Sequence, residues 1–174
     1  MHYNYLNQWM LENHTTDLLF KDFEKYEDQY LITFKNDKTA LQICFSSFDQ
    51  FIFFNREYDQ YPFERTGDLT IMSAHLNHSK MSDMVLNETD RIICLHFEKY
   101  NIYNTLEKLV LIIEIIPKYN NLILCRLKDD QLIILDSLKK FSFADNQSRQ
   151  ILPGVEYKKP ETSYLTTNIP LNYP

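Results

Sequence analysis

The chain has 174 residues, 44% of them hydrophobic and 14% aromatic, and a net charge of −6. That balance excludes a disordered polymer and is enough for one domain with its own core. Glycine occurs only at Gly67 and Gly154, so neither the dinucleotide fingerprint nor a P-loop can be written.

Tyr5, Leu6, Trp9 and Met10 recur at helical spacing within residues 3–12, which predicts a short amphipathic N-terminal helix. From Leu18 the texture is that of strands. Gln29–Lys35, Ala40–Phe45 and Gln50–Phe54 are aromatic or β-branched runs, separated by turn residues at Asn36-Asp37-Lys38 and Ser46-Ser47. Connections this short predict an antiparallel meander, not crossover helices. Residues 58–68 read as a loop, and Leu69, Met72 and Leu76 mark a helical stripe over 69–76.

Strands resume near Lys80. Ile93, Leu95 and Phe97 share one face of a strand that begins at Asp90-Arg91, and 106–116 is apolar on both faces, as in a doubly covered central strand. Residues 121–127 and 131–135 form a hairpin about Asp129-Asp130. The fold class expected is mainly β (α+β): a twisted β-sandwich or partly open barrel of about eight to ten strands with an N-terminal helix. Its core should include Ile43, Phe45, Phe53, Ile93, Leu95, Leu111, Ile113, Leu124 and Leu135. Residues 1–160 form the domain, and 161–174 read as an extended tail or a linker to downstream domains.

The chemistry-bearing residues do not assemble a reaction. Cys44, Cys94 and Cys125 lie in apolar runs without paired spacing, which predicts buried thiols and no disulfide. His75 and His78, three apart on a helix, lack a third metal ligand at a telling distance. No nucleophile elbow surrounds any serine, and the paired acids Glu27-Asp28 and Asp129-Asp130 fall in turns. The expectation is a non-enzyme with no cofactor and no metal. The N-terminus lacks a signal-peptide pattern, and the most apolar run, 109–116, is too short to span a bilayer and contains Glu114. A cytoplasmic protein without a membrane partner is expected; the oligomeric state is left open.

Charge is divided unevenly. Residues 1–88 carry 7 Lys and Arg against 14 Asp and Glu, whereas residues 89–174 carry 11 against 10. A phosphate-facing surface therefore belongs to the second half. There, Arg91 offers a planar fork of donors at a strand end, with Asp90 beside it. The competing reading is an Arg91 that lies over the sheet rim or pairs with a carboxylate such as Glu114. Glu114 sits among isoleucines and requires a partner.

Thr89-Asp90-Arg91-Ile92-Ile93, Asn121-Leu122-Ile123-Leu124, Asp136-Ser137-Leu138-Lys139-Lys140 and Pro153-Gly154-Val155-Glu156-Tyr157-Lys158-Lys159-Pro160 occur in that order. In sequence and spacing they resemble the N-terminal domain of the NFACT family, which includes fibronectin-binding protein A and ribosome-associated quality control factors. The clear likeness covers residues 89–160. The family's basic helix before the Asp-Arg strand is replaced by Met72-Ser73-Ala74-His75-Leu76. The resemblance implies a fold similar to the N-terminal domain of formamidopyrimidine DNA glycosylases, without that activity, because the proline nucleophile is absent. It also implies an RNA-binding module that, within a longer protein, helps recognise transfer RNA on a stalled large ribosomal subunit. The RNA-binding residues it points to are Asp90, Arg91, Lys139, Lys140 and Arg149. The alternative is a protein-interaction or adhesion domain of the fibronectin-binding kind.

Overall fold

The computed structural model describes residues 17–46, 50–65, 67–87, 91–116, 120–145 and 148–160. The expected N-terminal helix, Asp90 and the 161–174 segment lie outside them. Nine strands alternate with short connections: β1 (Leu18–Tyr26), β2 (Gln29–Phe34), β3 (Ala40–Phe45), β4 (Gln50–Asn55), β5 (Lys80–Leu86), β6 (Ile92–Tyr100), β7 (Leu106–Glu114), β8 (Asn121–Lys128) and β9 (Gln131–Ser137). One helix, α1 (Thr70–Leu76), precedes β5. All neighbours pair antiparallel in a single open sheet of order β4-β3-β2-β1-β5-β6-β7-β8-β9. Among the described residues the strands of its two halves pair where Leu18 and Leu19 of β1 face Met81 and Lys80 of β5.

That narrow junction lets the sheet fold over on itself. Phe20, Phe23, Ile32, Leu41, Ile43 and Ile52 from the first half share one buried cluster with Ile93, Leu95, Phe97, Leu111, Ile113 and Leu124 from the second. The Phe20 ring meets Phe97 edge-on at 6.3 Å and Phe23 at 5.2 Å, so the strand next to the junction ties both halves to one core. Leu69, Met72 and Leu76, the stripe read in the sequence, are fully buried in the same cluster. α1 stops at Leu76, and His78 lies beyond it with φ 67°. The two histidines therefore do not share a helix face.

β7 is buried on both faces. Its alternate residues Val110 and Ile112 belong to a second cluster with Ile92, Ile123, Cys125, Ile134 and Ile151 on the other side of the sheet. The segment 151–157 covers that side. Val155 N donates to Leu152 O (3.1 Å) around Pro153-Gly154, and Gly154 has φ 86°. This is the backbone that a type II turn demands of its third residue, and glycine supplies it without strain. Gly154 N and Tyr157 N then donate to Ile134 O (2.8 Å) and Leu132 O (2.7 Å) of β9, so the closing segment shields that sheet edge. Asp129 and Asp130 both have positive φ, 50° and 63°, as a two-residue hairpin turn requires.

On the outer face of β1–β4 the side chains differ. Tyr26, Gln29, Gln42, Phe51, Phe53, Asn55, Tyr61 and Phe63 line a groove of about 260 Å³. Phe53, expected in the core, is here instead. Gln50, Ile52 and Phe54 alternate with it, and Ile52 is the β4 residue wholly buried in the core. A run of aromatics reads as core in either parity, and only the register with β3, which sets Phe53 opposite Gln42, decides the face. None of the three cysteines is in a disulfide; Cys44 and Cys125 are buried and Cys94 partly so.

These faces have a thermodynamic signature. Phe97→Ala, at 0% exposure, should cost about 3–5 kcal/mol in urea denaturation. Phe53→Ala should cost less than half as much; equal losses would place Phe53 in the core after all.

Candidate nucleic-acid interface

The antiparallel register brings one end of β6, β7, β8 and β9 together. Ile92 opens β6 opposite Glu114, the last residue of β7, and Glu114 faces Asn121, the first of β8. Ile123 faces Ser137, the last residue of β9. Arg91 therefore stands at the mouth of β6, where its carbonyl accepts Ile115 N at 2.8 Å. Lys139 and Lys140 follow β9 at the same end.

Asn121 builds the turn that presents those lysines. Its side chain is 1% exposed, accepts from Lys139 N (2.9 Å) and donates to Lys139 O (3.0 Å). Ser137 Oγ donates to the same carbonyl at 2.9 Å. The ammonium of Lys139 donates to Asn120 Oδ1. Partial desolvation pulls Lys139 below the usual lysine range, against the upward pull of Asp28. Lys140 pairs with the buried Asp136 (3.1 Å) and donates to Ser137 O (2.8 Å). Both lysines remain exposed.

Arg149 does not join this surface. It is 6% exposed, with Nη1 and Nη2 forked onto Glu114 Oε2 and Oε1 at 2.8 and 2.7 Å. Nη1 also donates to Lys158 O at 2.9 Å, and Tyr157 Oη donates to Glu114 Oε2 at 2.6 Å. Burial pulls Arg149 downward, but its hydrogen bonds to and the charge of Glu114 prevail and hold it above the usual arginine range. Burial first, and Glu114 second, push the Tyr157 phenol far up. The physical reason for the correction is Glu114: a carboxylate at 0% exposure in the central strand takes the nearest arginine inside with it. The pair expected as a competitor for Arg91 thus exists, with Arg149 in that place.

Arg91 is partly exposed, and its side chain enters no hydrogen bond or ion pair with a described residue. Asp90, its expected companion, lies outside the described residues. Two further cations, Lys158 and Lys159, which are not among the RNA-binding residues expected from the sequence, are exposed on the closing segment beside Arg149, and Lys159 lies near enough to Cys94 to act on its thiol. Their signal was the Lys-Lys pair directly after Tyr157. The arrangement is a rim of cations above a locked ion pair, suited to holding phosphate oxygens. Among the described residues no group of three His, Cys, Asp or Glu could hold a metal, and no helix is long and apolar enough to cross a membrane.

The family described as "NFACT N-terminal and middle domains" matches residues 21–169. No curated protein matches the chain. Among solved structures, the N-terminal part of the fibronectin/fibrinogen-binding protein of Streptococcus suis superposes with a TM-score of 0.74 at 18% identity, covering 90% of this chain and 58% of that one. The N-terminal domain of the fibronectin-binding protein PavA of Streptococcus pneumoniae gives 0.74 at 19% identity, covering 97% of this chain and 68% of that one. The fibrinogen binding protein of Staphylococcus aureus gives 0.68 at 16%, with 90% and 55% covered. At such identities the likeness is one of fold.

Removing one member of the buried trio should be costly. Arg149→Met leaves Glu114 uncompensated and should lose about 3–5 kcal/mol; Tyr157→Phe should lose about 1.5–3 kcal/mol. Adding Glu114→Gln to Arg149→Met should recover part of the loss, and simple additivity would refute the coupling.

Alkaline pH should act in the same direction. Tyr157 is raised from its ordinary value of 10, Cys94 from 9 to about 11 and Cys125 from 9 to about 12. Between the unfolded and folded values the unfolded chain has released protons that the native chain retains, so stability falls with rising pH. Urea midpoints should decline above pH 9, where the unfolded thiols titrate, and the decline above pH 10 should be shallower in Tyr157→Phe.

Proposed function

Because the chain belongs to the NFACT family, we propose that it is a non-enzymatic RNA-binding module which, as part of a longer protein, helps recognise transfer RNA on a stalled large ribosomal subunit. The observation that supports this most is the state of Arg91. The two buried carboxylates at its end of the sheet, Glu114 and Asp136, are already paired with Arg149 and Lys140. They leave Arg91 as a partly exposed planar donor at the same end of the sheet as the exposed Lys139 and Lys140, and Lys140 keeps a donor beyond those given to Asp136 and Ser137. A guanidinium in that state can fork onto a phosphate or a base edge, while the lysines fix the backbone. The chain as a whole is acidic, so RNA must approach at this end and be weakened steeply by salt.

A second reading, a protein-interaction or adhesion domain, is supported by the aromatic groove on β1–β4 and by an acidic first half. The two separate on one variant. In the full-length protein, Arg91→Ala should weaken transfer-RNA binding by about 1–3 kcal/mol and lower the salt dependence by about one phosphate contact. Melting temperature should be unchanged. A loss of thermal stability with RNA binding intact would overturn the RNA reading.

A further inference from the structure

The two edges of the sheet are treated differently. β9 is shielded by the closing segment, through bonds from Gly154 N, Ile134 N and Tyr157 N. β4, at the other edge, has no strand beside it among the described residues. An edge strand is a template for pairing, and proteins blunt it with lysine, proline or a covering segment. β4 reads Gln50-Phe51-Ile52-Phe53-Phe54-Asn55, six residues without a charge or a proline.

The groove adjoins that edge. Phe51, Phe53 and Asn55, alternate residues of β4, form one wall, and Tyr61 and Phe63 from the following loop contribute to the lining. The rings touch one another: Phe51 and Phe53 at 5.5 Å, Tyr61 and Phe63 at 6.3 Å. Between them runs a chain of amides, in which Asn55 donates to Gln42 Oε1 at 2.7 Å and Gln42 donates to Gln29. The segments that supply Tyr26, Gln29, Tyr61 and Phe63 to the groove are acidic, with Asp22 paired to Arg65. Segments 22–29 and 56–65 carry Asp22, Glu24, Glu27, Asp28, Glu57, Asp59 and Glu64, seven carboxylates, against Lys25, Arg56 and Arg65, three cations. Burial first, and Asp22 second, raise Glu24 above its ordinary value against the pull of Lys21 and Arg65.

We propose that the free edge of β4 and its aromatic groove bind an extended, basic peptide of a partner protein by strand addition. Main-chain hydrogen bonds to β4 supply affinity. Alternate apolar side chains of the peptide fall beside Phe51 and Phe53, and lysines or arginines that flank the paired stretch meet the acidic segments. Charge decides against the other occupants. RNA is repelled by segments of this sign, and a second copy would bring two such sets together. Neither Arg91 nor the lysines of the RNA rim line the groove, although Asp28 of its acidic segments acts on Lys139; protection of β4 by a peptide is read without RNA, so the two proposals fail separately.

The test uses the 174-residue chain and two capped synthetic nonapeptides, each with a central valine-threonine alternation, one flanked at both ends by lysines and one by glutamates, monitored by hydrogen exchange and NMR. The basic peptide should slow amide exchange within residues 50–55 at least tenfold and bind at least tenfold tighter than the acidic one. Phe53→Lys should abolish that protection while the basic exchange pattern of β6–β9 is kept. Equal binding of both peptides, or no protection in β4, overturns the proposal. So does a β4-mediated dimer of the chain alone, or binding that appears only after residues 1–16 are removed, which would make that segment the occupant. If Phe53→Lys does not fold, the comparison of the two peptides on the unaltered chain decides.

Discussion

Much of the second half is organised by one buried charge. Glu114 ends the central strand at zero exposure, where an ionised carboxylate is tolerable only if its oxygens are met by charged and neutral donors. Arg149 and Tyr157 meet both. Neither lies on a strand of the sheet; both come from the segment after β9. The requirement of Glu114 therefore brings the chain 149–158 back across the sheet. Once there, Ile151 and Val155 complete the second apolar cluster, and the Pro153-Gly154 turn places the main chain against β9. An electrostatic need at one residue and hydrophobic cover of four strands are satisfied by the same ten residues.

The same bond shapes the functional surface by exclusion. An arginine that neutralises a buried carboxylate cannot also hold a phosphate, so Arg149 is removed from the cation count. Its removal also relieves Arg91 of the role of counter-ion. Asp136, likewise buried, takes Lys140. The exposed positive charge at this end is what remains after the interior has been neutralised, and Lys158 and Lys159 enter it because the segment that carries them is anchored from below.

Most of the strands were legible because β-branched and aromatic runs were bounded by turn residues. Ala40–Phe45 and the start of β5 at Lys80 agree with the structure to the residue. β1 was not separated from its surroundings, since Lys21, Asp22, Glu24 and Lys25 interrupt its alternation and a register shift between Phe20 and Asp22 displaces the pattern. Phe53 was misplaced because Phe51, Ile52, Phe53 and Phe54 are apolar in both parities, so periodicity carries no information about the face. The partner of Glu114 was undecidable on other grounds. The need for a cation could be read from the isoleucines around it, but choosing Arg149 over Arg91 requires knowing that the chain returns 35 residues later.

Charge asymmetry along the sequence becomes a difference between two surfaces. The acidic first half supplies β1–β4, whose outer face is a neutral groove of rings and amides beside acidic segments. The balanced second half buries two of its carboxylates, Glu114 with its counter-ion Arg149 and Asp136 under the exposed Lys140, and leaves the lysines and Arg91 outside. Net charge alone argues against any polyanion as a ligand, and that argument fails because a partner meets a local field, screened within about 8–10 Å at ordinary salt. With both surfaces carried by one sheet, the narrow β1–β5 junction is the hydrogen-bonded link between them, and the shared apolar cluster, with Phe20 packed on Phe97, holds the two halves together.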